Sequence, residues 1–538
     1  MTNERHERVL AFGIISAVFL AVLLPEVGYV PIWDGRVYTD CVLSAAAKGL
    51  SMESLRCAGH PSQAWAVLLA LPQLLRFGDV GVLHLTDALL GLLALGAIRV
   101  ALSQVFPDRA LARELDLLTL ACAVHPVVLS TLLQVNVDFG VYVFFFAALA
   151  AVLSQRFGLA ALAGLFLCFS KETGVLAYGL VVGLDAAFRI LRGEEGWPAR
   201  LRRVVPMWPT VIPVAAFVVH VLRWNSSHRE AAIWKHAWQK GMLDGFNFFD
   251  LSDPIFVSYA AGICLLGFMW VVTALIAADL LVGGARMVKR RARRDVPGAD
   301  RRKLAYVAAL TLVLAYVLTA FRTWSNLRYF ALLYPLLLFL GYAALLRIRA
   351  RPGIRVSSLA LAACLFLLSA YRSVDPVSRA VYGTFDIGER QMYRMTSITG
   401  EFNGPGRDEL VYNLQFTGFH HVQNAFYRKI RPTGATVIAA PREVRWMIWS
   451  PLDARTFQRT LRPAVAITPM YSDDAGLAAR GYPHEAWYLE FSNHAYDDTS
   501  LQRLLEKAYR DAEVVRVHAA GHVLKAHHLV RREARVLP

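Results

Sequence analysis

The sequence predicts a polytopic α-helical membrane protein of about eleven spans, followed by a polar α/β domain. Three observations predict it. Apolar segments near the length of a bilayer crossing, about 20 residues, recur through the first 370 residues. Lys and Arg concentrate in alternate loops, the pattern that orients membrane proteins. After residue 373 the long apolar runs stop, so a whole-chain mean hydropathy of +0.41 averages two unlike parts.

Residues 10–31 form the first span; the segment is too long, and lacks a small-residue cleavage site, for a signal peptide. Arg5 and Arg8 before it place the N-terminus in the cytoplasm, so the loop 32–80 lies outside. The spans 81–105, 115–133, 138–155 and 157–170 follow, and a sixth returns to the basic stretch 192–203. The rest are 206–222, 255–283, 304–321, 329–346 and 356–371, with the Arg-rich loops 285–303 and 347–355 inside. This parity requires 61–77 (PSQAWAVLLALPQLLRF) to stay in the interface, as its short length and Pro72 suggest. A net charge of +16 comes from residues flanking spans, which membrane orientation and anionic headgroups explain better than nucleic acid does.

The tail 373–538 reads as a soluble extracytoplasmic α/β domain of a size that folds on its own. Strands are expected at 409–414, 435–440, 464–469 and 486–491, helices at 417–430 and 500–513. The closing EVVRVHAAGHVLKAHHLV reads as two strands about an Ala-Gly turn. Of the six cysteines, Cys122, Cys168, Cys264 and Cys364 sit in apolar segments as small core residues. Cys41 and Cys57 fall in the first outer loop, where an oxidising compartment permits a disulfide that spacing alone does not establish.

The loops opposite the basic ones carry isolated charges of both signs, and ionisable groups at membrane depth mark functional sites. Asp34 opens the outer loop before an interfacial helix, either as a helix cap or as a catalytic acid. Asp40, six residues on, is rotated about 240° from it, so the two are not a paired-acid site, whereas Tyr38 shares its face. His60 precedes Pro61; Asn136 or Asp138 opens the span 138–155; Lys171 and Glu172 close the next; Arg328 and Tyr329 open a late one, with Pro335 following. Such carboxylates and cations at one boundary suit a phosphate-bearing lipid, since arginine holds phosphate through two parallel hydrogen bonds.

In order and spacing these motifs resemble the GT-C superfamily of membrane glycosyltransferases, in particular the branch of protein mannosyltransferases and the lipid A aminoarabinose transferase. The match covers roughly residues 1–345: Asp34 with Tyr38, His60-Pro61 through Phe77-Gly78, Asp138, Ser170-Lys171, and Arg328-Tyr329 with Pro335. It departs at Gly35, where the family often has Glu, and at Ser62, where it has a second proline. The resemblance implies a GT-C-like fold over 1–372 and inverting transfer of a sugar from a polyprenyl-phosphate donor to a glycan, lipid or protein acceptor in the cell envelope. It further implies Asp34 as general base and Lys171, Arg328, Tyr329 and His60 on the donor phosphate. Tyr38, Glu172 and Asp138 would orient substrate, Asp138 either the acceptor or a cation partner. No cofactor is implied; a divalent metal is left open. Trp234 and Trp238 suggest an interfacial helix over the site, or equally an aromatic belt. Two readings from other classes compete: a transporter or flippase, and a non-catalytic relative that binds envelope glycans. The lack of an internal repeat and the position of the charges at helix ends argue against the transporter.

Overall fold

The computed structural model describes residues 2–27, 31, 34–57, 60–75, 80–191, 196–227, 254–288, 296–320, 327–372, 374–387, 390–393, 422, 425–431, 436–439, 468–470, 483–490, 505–519 and 522–532. Seventeen helices are distinguished here among them: α1 (Thr2–Leu23), α2 (Asp34–Lys48), α3 (Gln63–Gln73), α4 (Val80–Val105), α5 (Ala112–Ala123), α6 (Pro126–Leu133), α7 (Val137–Leu153), α8 (Phe157–Cys168), α9 (Glu172–Leu191), α10 (Trp197–Arg202), α11 (Val211–Ser227), α12 (Pro254–Leu265), α13 (Met269–Val288), α14 (Arg301–Ala320), α15 (Leu333–Arg347), α16 (Pro352–Tyr371) and α17 (Pro376–Tyr382). The chain is a multi-pass membrane protein: six helical stretches among the described residues are long and apolar enough to cross a bilayer, and shorter apolar helices stand at Leu10–Leu23, α7, α8 and α15.

Each expected span coincides with a helix or a helix pair, and composition explains their placement. In α7 (VDFGVYVFFFAALAAVL) every position except Ala147 is buried, as befits a helix apolar all round at the centre of a bundle. The opposite case is α9, which buries only Gly174, Ala177, Tyr178 and Val181 and leaves its other faces to lipid. Between α5 and α6 the chain bends by 52°. Pro126 has no N–H to continue α5 and holds His125 extended. A second break separates α12 from α13 at Gly267, whose φ of 61° only glycine adopts without strain. Asp375, ahead of α17, clamps that break by accepting hydrogen bonds from the Phe268 N–H and the Trp270 indole, each at 2.9 Å. The expected interfacial segment 61–77 appears as α3, whose 11 residues rise about 16 Å, half the bilayer core.

Two of the basic loops, near 300–303 and 347–355, gather at one end of the bundle. Arg355 grips Glu114 through Nε and Nη2, both at 2.7 Å, and the Tyr342 hydroxyl donates to the same carboxylate at 2.7 Å. Lys303 donates to Gln104 at 2.6 Å, and Arg347 pairs with Asp279. Residues near 104–114, 300–303 and 342–355 therefore share one end, as the parity scheme requires. Glu114 is 3 % exposed, so Glu114→Ala leaves a mostly buried guanidinium without its carboxylate. Such a loss costs about 3–5 kcal/mol. We expect thermal unfolding in detergent to fall by several degrees for Glu114→Ala, and by much less for Tyr342→Phe, which removes one neutral donor.

In the tail, strands β1 (Thr384–Ile387) and β2 (Arg390–Tyr393) form an antiparallel hairpin. A five-stranded sheet follows from β3 (Val437–Ala439), β4 (Thr468–Met470), β5 (Glu485–Glu490), β6 (Tyr509–Ala519) and β7 (His522–Arg531), in the order β4-β3-β5-β7-β6. β3 runs parallel to β4 and β5, and β7 antiparallel to β5 and β6. The strands expected at 435–440, 486–491 and the C-terminus are present, the one at 464–469 is described only from Thr468, and 409–414 lies outside the described residues. The helix expected at 500–513 is cut short: residues 505–508 are helical, but from Tyr509 the chain pairs with β7. Leu489, Val515, Val517, Leu524 and Ala526 join the same apolar cluster as the membrane helices, with Phe426 packed edge-on to Trp487 at 5.5 Å.

Candidate active site

The site is built at the bundle end opposite the Arg355–Glu114 cluster. α2 begins at Asp34, whose backbone is described while its side chain is not. Gly35 fixes where that helix sits. A Cβ on it would stand 2.0 Å from the Gln134 carbonyl oxygen, so the first turn of α2 lies directly on the turn between α6 and α7. Gly35→Ala must push α2 off this seat. We expect the variant to insert in the membrane yet lose most transfer activity, as a shift of 1 Å at a reacting group costs about 10²-fold; unchanged activity would show that the seat does not position the site.

The loop after α2 is tied back to it by a Cys41–Cys57 disulfide, with Cα atoms 5.5 Å apart. Ser62 pins the loop further, receiving the Cys57 N–H at 2.7 Å and donating to the Leu55 carbonyl at 3.0 Å. The Ala64 N–H donates to Phe169 O at 2.9 Å, which joins α3 to the turn between α8 and α9. His60 Nδ1 accordingly reaches Glu172 Oε2 at 2.9 Å and Oε1 at 3.0 Å. Tyr38 is buried beneath, its ring centroid 6.1 Å from His60 and 5.9 Å, edge-on, from Trp65.

Beside this pair lies a buried ionic trio. Asn136 caps α7 by accepting from the Asp138 N–H at 3.1 Å, so capping does not consume the Asp138 carboxylate. Lys171 donates to Asp138 Oδ1 at 2.8 Å and Arg328 Nε to Oδ2 at 2.9 Å. All three side chains are 4–5 % exposed. Burial opposes the Lys171 charge, but Asp138 above all raises its proton affinity, and the ammonium stays charged. The trio sums to one net positive charge in a dry setting, where burying a charge costs several kcal/mol. Tyr329 lies against both cations, its ring centroid 4.2 Å from Lys171 Nζ and 5.6 Å from Arg328 Cζ. Arg328 and Tyr329 occupy a 3-10 turn, Leu327–Phe330, whose apolar ends pack on α12: Leu327 against Gly262, Phe330 edge-on to Tyr259 at 5.0 Å.

Of the residues singled out in the sequence, Tyr38, His60, Asp138, Lys171, Glu172, Arg328 and Tyr329 thus gather at one end of the bundle in two adjoining groups, joined by the Lys171–Glu172 peptide. The Asp34 side chain, Phe77-Gly78, Trp234 and Trp238 lie outside the described residues. Sequence reasoning missed Arg56, which lies within electrostatic range of Glu172, and Gln63 and His220, whose Nε2 atoms stand 3.4 Å apart. Arg56 carried a readable signal, a cation in an outer loop one residue from Cys57. His220 carried none, since it reads as part of an apolar helix. No group of three or more His, Cys, Asp or Glu placed to hold a metal occurs among the described residues.

No family model and no curated protein matches the chain. Among solved structures, ArnT from Cupriavidus metallidurans bound to undecaprenyl phosphate aligns with a TM-score of 0.50 at 13 % identity, over 95 % of this chain and 97 % of that one. ArnT in the apo state gives 0.49 over the same shares, also at 13 % identity. The arabinofuranosyltransferase AftD from Mycobacteria aligns at 16 % identity and a TM-score of 0.43, over 97 % of this chain and 40 % of that one. ArnT, a lipid A aminoarabinose transferase, is a GT-C membrane glycosyltransferase. At such identities the likeness speaks to architecture and not to activity, and the chain has the GT-C fold.

Proposed function

We propose that this protein is a membrane glycosyltransferase that takes a sugar from a polyprenyl-phosphate donor and passes it, with inversion, to a hydroxyl on an envelope glycan, lipid or protein. The observation that carries the reading is the buried trio of Asp138, Lys171 and Arg328, whose net positive charge suits a phosphate. The resemblance of the motifs supports it, as does the shared fold with a protein solved with undecaprenyl phosphate bound.

In this reaction the acceptor oxygen attacks the anomeric carbon while the bond from that carbon to the phosphate oxygen breaks. Asp34 takes the hydroxyl proton, a contribution of typically 10²–10⁴-fold. The leaving phosphate keeps the electron pair, and Lys171, Arg328 and His60 hold its growing charge from fixed positions in low dielectric, commonly the larger effect. Tyr329 keeps the two cations in place, Asp138 sets their spacing, and Glu172 orients His60 as Tyr38 walls the pocket. A divalent cation, which the sequence leaves open, would compete for carboxylates that Lys171, Arg328 and His60 already engage.

The Cys41–Cys57 disulfide supports an oxidising compartment for this face. With the basic loops on the cytoplasmic side, the site and the tail 373–538, as a soluble domain, then lie outside the cell membrane. Mass spectrometry of lipids from a deletion strain tests the function: a polyprenyl-phosphate sugar should accumulate and vanish on complementation. An unchanged lipid profile with an uptake defect would favour the transporter reading.

A further inference from the structure

A third group of polar side chains adjoins the two already described. Arg56 projects from the disulfide-closed loop and lies within electrostatic range of Glu172 and of His220 on α11. Gln63, the first residue of α3, is 4 % exposed. Its Nε2 donates to the Met52 carbonyl at 3.3 Å and stands 3.4 Å from His220 Nε2. Its Oε1 has no hydrogen-bond partner among the described residues, although buried polar atoms are nearly always paired. The His220 ring is steadied edge-on by Phe169 at 5.4 Å. Glu172 already faces His60 through both of its oxygens.

We propose that Arg56, Gln63 and His220 form a second anion subsite, beside Glu172, that takes a second phosphate or carboxylate of a substrate. Arg56 supplies the charge and the His220 ring a donor. The orphaned Gln63 carbonyl accepts from a hydroxyl beside the anion. The subsite rests on the proposed function and sharpens it: one monophosphate donor fills one cationic cluster, so the second serves another anionic group. That group is either the outer phosphate of a diphosphate-linked donor or an acidic group on the acceptor.

The test uses the full chain in phosphatidylcholine nanodiscs, with Arg56→Gln and His220→Gln as independent variants. Binding of undecaprenyl phosphate, of undecaprenyl diphosphate, and of inorganic phosphate added to protein saturated with undecaprenyl phosphate is measured for each. Both variants should keep undecaprenyl phosphate affinity within about twofold, which also reports that they fold, and weaken one other event about tenfold, the worth of one charged hydrogen bond. Weakened diphosphate binding assigns the subsite to the donor. Weakened phosphate binding on the saturated protein assigns it to the acceptor. The proposal is overturned if neither event changes, or if undecaprenyl phosphate affinity falls equally, which would make the two clusters one site. Wild-type protein that binds phosphate through Arg56 but never undecaprenyl phosphate would sink the donor reading and leave the subsite standing.

Discussion

Asp34→Asn should abolish sugar transfer while the protein still inserts, purifies and binds undecaprenyl phosphate. The substitution keeps the size and shape of the side chain and removes its ability to take a proton, so it separates chemistry from packing. The structure gives reason to expect a local effect. Asp34 opens α2, and that helix is seated through Gly35 on the Gln134 carbonyl, four residues before Asp138. The disulfide at Cys41 then closes α2 onto the loop that delivers His60. The Asp34 backbone is therefore fixed relative to both groups of the site without help from its carboxylate. A positioned base contributes about 10²–10⁴-fold, so turnover by Asp34→Asn should fall by at least two orders of magnitude. Measured with a lipid-linked donor, near-normal turnover would remove Asp34 from the base role. Lost lipid binding, with turnover lost alongside, would instead make it a structural cap of α2.

The parts of this fold that were legible in the sequence depend on local composition. Apolar length and charge sorting located the helices, because each span meets lipid or its neighbours along its whole length. α3 was readable as non-crossing because parity agreed with the short segment 61–77 and its Pro72. Partnerships between side chains were not legible. Arg328 meets Asp138 across 190 positions, and His60 meets Glu172 across 112. The ambiguity between Asn136 and Asp138 as the cap of α7 was resolved only by packing, which gave the cap to Asn136 and aimed Asp138 at the cations. In the tail, LEKAYRDAE has the composition of a helix, yet ten register pairs with β7 draw residues from Tyr509 onward into a strand. Tertiary pairing overrides such propensities readily. In the β1–β2 hairpin TFDI alternates but RQMY does not, and four residues a strand are too few to announce it.

Removing the carboxylate at the centre of the trio should have the second-largest effect, and on stability as well as activity. Asp138→Ala leaves Lys171 and Arg328, each about 5 % exposed, without the counter-charge they share. Breaking a buried pair costs about 3–5 kcal/mol. Two cations on one carboxylate place this case at the upper end, so we expect a large fall in unfolding temperature and in yield. Lys171→Met added to Asp138→Ala should recover part of it, because one cation in the cleft costs less than two, and that non-additivity is the signature of direct coupling. The same physics predicts what a phosphate does. An anion bound between Lys171 and Arg328 replaces the missing charge, so undecaprenyl phosphate should raise the unfolding temperature of Asp138→Ala more than that of the native chain. Arg328→Ala should behave in the opposite way: it leaves a neutral Lys171–Asp138 pair, keeps much of the stability and loses the lipid's stabilising effect. Thermal unfolding with and without undecaprenyl phosphate distinguishes these outcomes. Equal shifts in all three proteins would mean that the phosphate binds elsewhere, and that the trio serves only to hold α7, the α8–α9 turn and the Leu327–Phe330 turn together.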